Sequence, residues 1–238
     1  MDDMSASALS QTTAQDEAVP AQTPAFELSP HDLATQLVAK LCHDFISPAG
    51  AIISGLDLLE DPSAQDMKQE ALNLIAASAR KMVTLVHFAR VAFGAATTSE
   101  AFSGKELNKI LSDVFSTMRA ELDFDIEPDM IFSKPAARAL LNLGLIAGNA
   151  LPVGGKARLD VVKNDDSLTL SSTSRGPRAR LKPEAIEGLS GLALGDGLNG
   201  QWIQPHWLYS VVHEAGGTLT FNGEPDVLSI TVSLPVSA

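Results

Sequence analysis

Leu37, Leu41, Phe45, Pro48, Ile52, Leu56 and Leu59 recur at steps of three and four residues, the signature of one apolar face of an α-helix. Ser29 precedes this run, Pro30 follows it, and Asp32 stands at the third position, which together read as a helix start. A helix is predicted over residues 29–60, stopped by Asp61-Pro62. Ser63-Ala64-Gln65-Asp66 gives a second capping signal and predicts a helix to about Phe93. Within it Leu72, Ile75, Ala79, Met82, Val86, Ala89 and Phe93 alternate three- and four-residue steps, a heptad seam. The short turn between the two runs makes residues 29–93 an antiparallel helical hairpin.

The period then changes. GAATTSEAFSG, residues 94–104, reads as a linker, and Ser103-Gly104-Lys105-Glu106 caps a third helix predicted over 106–122. Phe124-Asp125-Ile126 reads as a short strand, and Ser133-Lys134-Pro135 opens a helix ending near Asn149-Ala150, before Pro152 and Gly154. Residues 157–162 and 167–171 alternate as strands around the turn Asn164-Asp165-Asp166. A helix over 205–215 and strands over 218–222 and 227–234 complete the chain. The expected fold is α+β: a helical hairpin, then a separate α/β sandwich over 105–238. Residues 1–28, rich in Ser, Thr, Gln, Ala, Asp and Pro, read as a disordered acidic tail.

Two amphipathic helices cannot bury both apolar stripes fully against each other. A second copy would complete a four-helix bundle, so a homodimer through residues 30–93 is expected; the alternative is a hairpin packed on its own second domain.

Charge narrows the classes. Lys plus Arg total 17 against 29 acids, a formal net charge of −12, so phosphate-backbone binding is not the main activity and no nucleic-acid partner is expected. A single cysteine, Cys42, excludes an internal disulfide and fits a reducing compartment. MDDMSASALSQTTAQDEAVP lacks the basic and apolar regions of a signal peptide, and no uncharged apolar run long enough to span a bilayer stands out. A cytoplasmic protein with no membrane partner is expected.

The candidate chemistry lies at His43. At about 100° per residue it stands roughly 160° from both Leu41 and Phe45, opposite the apolar stripe. Ala39, Lys40, Ser47, Gly50 and Ser54 share its face, most of them small, which leaves room for another protein to approach. Ile46 and Ile53 flank that face, and solvent-facing isoleucines invite docking. A neutral imidazole nitrogen is a nucleophile. Asp44 is placed to accept a proton or to hold the hydrogen of one ring nitrogen and so free the other. Pro48 leaves the Asp44 carbonyl without its helical donor. His31, His87, His206 and His213 have no comparable surroundings. Cys42-His43 is a poor metal pair, because adjacent helical residues diverge.

Cys42-His43-Asp44-Phe45-Ile46-Ser47-Pro48 resembles the phosphoacceptor box of sensor histidine kinases, with its histidine, following acid and proline five positions on. LCHDFISPAGAIISGLDLLEDPSAQDM and the layout of residues 30–238 resemble, more closely, the alphaproteobacterial histidine phosphotransferases. The resemblance implies that His43 takes a phosphoryl group from a receiver-domain aspartate of a hybrid kinase (CckA). It implies passage to response regulators (CtrA and CpdR) that govern the cell cycle. It implies a kinase-like second domain that does not use ATP, with magnesium supplied by the partner receiver and no cofactor or metal held by this chain.

The second domain can be read beside that expectation. A working nucleotide site of this type needs an asparagine for magnesium and a carboxylate for the adenine amino group. Asn142 and Asn149 are candidates for the first, although Asn149 also reads as a helix end. At the adenine position, Ser172-Thr173-Ser174-Arg175-Gly176-Pro177-Arg178 holds no aspartate before its glycine. Gly195-Asp196-Gly197-Leu198-Asn199-Gly200 matches a dinucleotide fingerprint, but no strand precedes it and no βαβ unit follows. Arg175, Arg178, Arg180 and Lys182 form a basic cluster that reads either as a contact to receiver acids or as solvated surface. The competing readings are a divergent ATP-dependent kinase and a non-catalytic dimeric adaptor.

Overall fold

The computed structural model describes residues 29–94, 101–192 and 200–236. The acidic tail and the glycine motif before Gly200 lie outside the described residues, as does most of the expected linker.

Helix α1, Pro30–Glu60, starts where the Ser29 side chain accepts from the Asp32 N–H at 3.1 Å. It runs through Pro48 without a break. A short 3-10 helix, Pro62–Met67, leads into α2, Lys68–Ala92. The cap at this turn is Asp61, not Ser63: the Asp61 carboxylate accepts from the Ser63 N–H at 2.8 Å and the Ser63 hydroxyl at 2.7 Å. Those bonds favour the ionised form and lower its pKa. Pro48 and Gly55 are the buried positions of α1, and Gly55 lies under Ile75 of α2. The inner seam of α2 is thus Ala71, Ile75, Ser78 and Met82. Leu72, Ala79 and Val86, one heptad apart, face outward and are exposed.

The α/β unit is a two-layer sandwich. Its sheet has the order β2-β4-β5-β7-β6, built from Ala120–Asp123, Gly155–Lys163, Ser167–Arg175, Val227–Pro235 and Thr218–Glu224 respectively. β2 pairs with β4 in parallel and the other neighbours are antiparallel. One face of β5 and β7 buries Leu168, Leu170, Leu228, Ile230, Val232 and Leu234. The other face is a grid of Thr169, Ser171, Thr173, Ser229, Thr231 and Ser233, so the alternation separates core from solvent. Helices α3 (Gly104–Phe115), α4 (Lys134–Asn149) and α6 (Gly200–Glu214) cover the apolar face, with the short α5, Pro183–Leu189, packed on α6.

Several expectations are corrected. The third helix ends at Phe115, and residues 120–122, read as its last turn, belong instead to a strand that pairs with β4. Residues 124–126 are not a strand. Residues 101–103, read as linker, are strand β1, which pairs with β3, Ile131–Ser133. A capping box starts α3: Ser103 Oγ accepts from the Glu106 N–H, and the Glu106 carboxylate accepts from the Ser103 N–H at 2.9 Å, which lowers the Glu106 pKa.

The end of the hairpin belongs to the core of the α/β unit. Phe88 and Ala92 of α2 join Leu107, Leu111, Leu140 and Leu208 in one buried cluster. The α/β unit therefore sits against α1 and α2 as part of the same packing, which positions the site described next.

Candidate functional site

His43 stands on α1 with its side chain 86 % exposed. Its Nδ1 lies 3.4 Å from Asp44 Oδ1. The other carboxylate oxygen of Asp44 accepts from Lys40 Nζ at 2.7 Å. Lys40 is only 11 % exposed, so this ion pair is shielded and orders the carboxylate beside the imidazole. Lys40 orders Asp44, and the Asp44 carboxylate stands beside a ring that is otherwise in solvent. With the proton on Nδ1, Asp44 accepts its hydrogen bond and the Nε2 lone pair is free for chemistry.

A cleft of about 610 Å³ opens beside this trio, between α1 and the α/β unit. Gln36, Ala39, Lys40, His43 and Asp44 form its α1 wall. Ile146 and Asn149 of α4 and Ala150 just after it face them, together with Arg180, Leu181, Lys182 and Ala185 around the start of α5, and Gln204 and Pro205 of α6. Helical geometry places Lys40 roughly 60° to one side of His43 and Ile46 roughly 60° to the other. His43 thus stands on a ridge between the cleft and an apolar flank on which Ile46 is 69 % and Ile53 57 % exposed. Ser47, Gly50 and Ser54 continue the ridge and are exposed.

The expected docking residues do not form one patch. Lys40 is committed to Asp44 inside the cleft. The basic cluster is divided. Arg180, whose N–H bonds the Ala150 carbonyl at 3.1 Å, and Lys182 line the cleft. Arg175 ends β5, and Arg178 has a φ of 62° with its N–H held by Asp226 Oδ1 at 2.7 Å, outside the cleft. Gln36, Asn149, Lys182 and Gln204 join the site without having been placed there as a group by sequence. Gln36, Lys40 and Asp44, at four-residue spacing, were the available signal for the cleft side of α1.

The two candidate magnesium asparagines part company. Asn142 is fully buried: its amide donates to the Ala92 carbonyl at 3.0 Å and the Arg138 carbonyl at 2.8 Å, and its oxygen accepts from Gln204 at 3.2 Å. Asn149, at the end of α4, is exposed in the cleft. The segment at the expected adenine position is strand as far as Arg175, with Ser172 and Ser174 buried and Ser174 Oγ bonded to the Ala147 carbonyl at 2.9 Å. Among the described residues no group of three His, Cys, Asp or Glu is placed to hold a metal ion.

The other histidines have different settings. His206 is buried in α6, stacked on Trp202 at 4.4 Å, and burial pulls its pKa down. His213 stacks on Tyr209 at 5.7 Å. His31 and His87 are exposed.

The family described as histidine phosphotransferase C-terminal domain matches residues 104–226. The protein phosphotransferase ChpT of Brucella abortus (strain 2308) is 32% identical over 190 residues, 79% of this chain and 89% of that protein. A bacterial phosphotransferase of known structure superposes with a TM-score of 0.79 at 28% identity, over 87% of this chain and 98% of that one. The chain belongs to the histidine phosphotransferase family and is a phosphotransfer protein of the two-component phosphorelay type.

Proposed function

We propose that the chain is a phosphorelay intermediary in which His43 carries the phosphoryl group. The observation behind this reading is the exposed imidazole whose Nδ1 faces Asp44, itself ordered by Lys40. The Nε2 lone pair attacks the phosphorus of a receiver's aspartyl phosphate. The phosphorus–oxygen bond breaks, the electron pair leaves on the aspartate as a carboxylate, and a phosphorus–nitrogen bond forms. The Nδ1 proton stays in place, and Asp44 offsets the positive charge that develops on the ring. A second receiver reverses the step. Magnesium comes with the receiver, and the protein supplies a positioned nucleophile and a surface.

The hairpin over residues 29–93 carries transfer and dimerisation, and residues 105–238 form a degenerate nucleotide-binding fold that serves in docking. Ile46, Ser47, Gly50, Ile53 and Ser54 meet the receiver from the ridge, and Arg180 and Lys182 from across the cleft. Arg175 and Arg178 reach only a partner that extends past the cleft. One helix among the described residues, α1, is long and apolar enough to cross a membrane by length and composition, yet 6% of that apolar window is buried within this chain. A four-helix bundle with a second copy accounts for the surplus, because Val38, Leu56, Leu72, Val83 and Val86 are all exposed. The relay runs in the cytoplasm. On the resemblance given above, the donor is the hybrid kinase CckA and the acceptors are CtrA and CpdR.

The phosphoryl group comes from another protein and not from ATP bound here. Asn142 is spent on carbonyls, and the β5 segment offers no carboxylate for adenine.

The test is His43→Ala with a phosphorylated receiver as donor. Transfer falls to background while helix content and oligomeric state stay as in the parent. Transfer that survives the substitution overturns the reading. Label from ATP appearing on the purified protein alone overturns the claim about its source.

A further inference from the structure

The Ala92 carbonyl ends α2 in a fully buried position and accepts two hydrogen bonds from the α/β unit. One comes from Asn142 Nδ2 at 3.0 Å, the other from Trp207 Nε1 at 2.8 Å. Asn142 also donates to Arg138 within its own helix and accepts from Gln204 of α6. Trp207 packs edge-on against Phe93, with ring centroids 6.2 Å apart, directly after the hairpin. One buried amide therefore joins the end of α2 to α4 and α6 together.

The same two helices form the far wall of the cleft. Ile146 and Asn149 follow Asn142 on α4 by one and two turns, and Gln204 is both the partner of Asn142 and a lining residue of the cleft. Covalent connection alone does not set the angle of this wall to α1. That angle is set by what packs and bonds between the end of α2 and the two helices. Phe88 and Ala92 pack across this joint in the shared core, and the bonds on the Ala92 carbonyl add direction to that packing.

We propose that Asn142 is a positioning residue: with Trp207 it clamps the α/β unit to the end of the hairpin, so that the cation-bearing wall of the cleft is held in docking position beside His43. The inference rests on the phosphotransfer reading of His43. Asn142 acts through the joint and touches neither the receiver nor the phosphoryl group. Without these bonds the apolar packing that remains is non-directional, and the wall samples more orientations, of which few match a docked receiver. If about one orientation in ten remains competent, apparent affinity for the receiver falls about tenfold. Chemistry at His43, ordered by Lys40 and Asp44 on α1 itself, keeps its saturated rate.

The experiment uses the full chain carrying Asn142→Asp, which keeps the shape and removes both donors, and separately Trp207→Phe, which keeps the packing and removes one. Spin labels at cysteines introduced for exposed Lys81 on α2 and Lys163 on β4, in a Cys42→Ala background, report the joint by pulsed resonance. Labelled chain is diluted into unlabelled chain, so that only distances within one chain are read. The parent gives one narrow distance. Both variants broaden it, and both raise KM for a phosphorylated receiver, about tenfold for Asn142→Asp and less for Trp207→Phe, with kcat within twofold of the parent. A distribution that stays narrow in both variants overturns the proposal. So does a broad one with unchanged KM, or a loss confined to kcat. Should Asn142→Asp fail to fold, Trp207→Phe decides alone. His43→Ala in the parent separates the two levels: transfer that survives it removes the phosphotransfer reading, while the distance measurement still reports on the clamp.

Discussion

Helix α4 buries eleven of its 16 residues, whereas α1, at 31 residues, buries Pro48 and Gly55 alone. The two helices are both apolar, so the difference lies in what surrounds them. α4 is enclosed by a sheet, two helices and the end of the hairpin, all from one chain. α1 has α2 on one side and the edge of the cleft on another, and the rest of its apolar surface faces out. The α/β unit buries its apolar surface within one chain, and α1 leaves much of its own exposed. The exposed region is also the one that carries the candidate nucleophile.

That contrast is broken most directly by a cavity in the α/β unit. Leu170 on β5 has no solvent exposure. Leu170→Ala is expected to cost about 2–5 kcal/mol, from lost transfer energy and the void left behind. Denaturant titration should give the same loss at every protein concentration, since the core is intramolecular. The counterpart in the hairpin is Val86→Asp. Val86 is 39% exposed in the single chain, so an isolated hairpin tolerates a carboxylate there. Buried in a bundle with a second copy, that charge is unpaired. Dimer dissociation is expected to rise roughly a hundredfold, about 2.7 kcal/mol, read by sedimentation at several concentrations. An unchanged dissociation constant, or a parent that sediments as a monomer at every concentration, overturns the bundle.

The same contrast explains which parts were legible in the sequence. Long periodic runs carried α1 and α2, start and stop residues carried α4, and alternation carried β4 and β5, because each signal is local. β1 and β3 are three residues each and pair only with one another across the intervening α3. No periodicity fits in three residues. α5, seven residues long, escaped for the same reason. Residues 120–122 continue a helical pattern, and parallel pairing with β4 overrides it. At the site, His43 and its ridge followed from the turn of one helix. The cleft did not, because its walls come from α1, α4, the start of α5 and α6, and nothing local records their meeting. Asn142 was legible only as a candidate magnesium asparagine, and its place at the joint was visible only once Ala92 and Gln204 were found beside it.

Smaller substitutions sharpen the comparison within α1 itself. An added methyl at Gly55 would stand 2.6 Å from Ile75 Cγ1 and 3.2 Å from the Ala71 carbonyl. Gly55→Ala is expected to cost about 1–3 kcal/mol as α1 and α2 are forced apart, less the helix preference of alanine. Thermal melting should show the drop.

Gly50, five residues earlier, meets nothing within 4 Å. In the free protein Gly50→Ala relieves only the entropic penalty of glycine in a helix, so it is expected to stabilise by about 0.5–1 kcal/mol. A methyl group on the ridge beside Ser47 and His43 nevertheless occupies space that a docked receiver needs. Melting temperature should rise by a few degrees while KM for a phosphorylated receiver also rises. Stability rises while affinity for the receiver falls only if the open space at Gly50 is kept for a partner. A stabilised variant with unchanged KM and kcat shows instead that the receiver docks away from this part of the ridge, and shifts the contact toward Ile46 and the cleft.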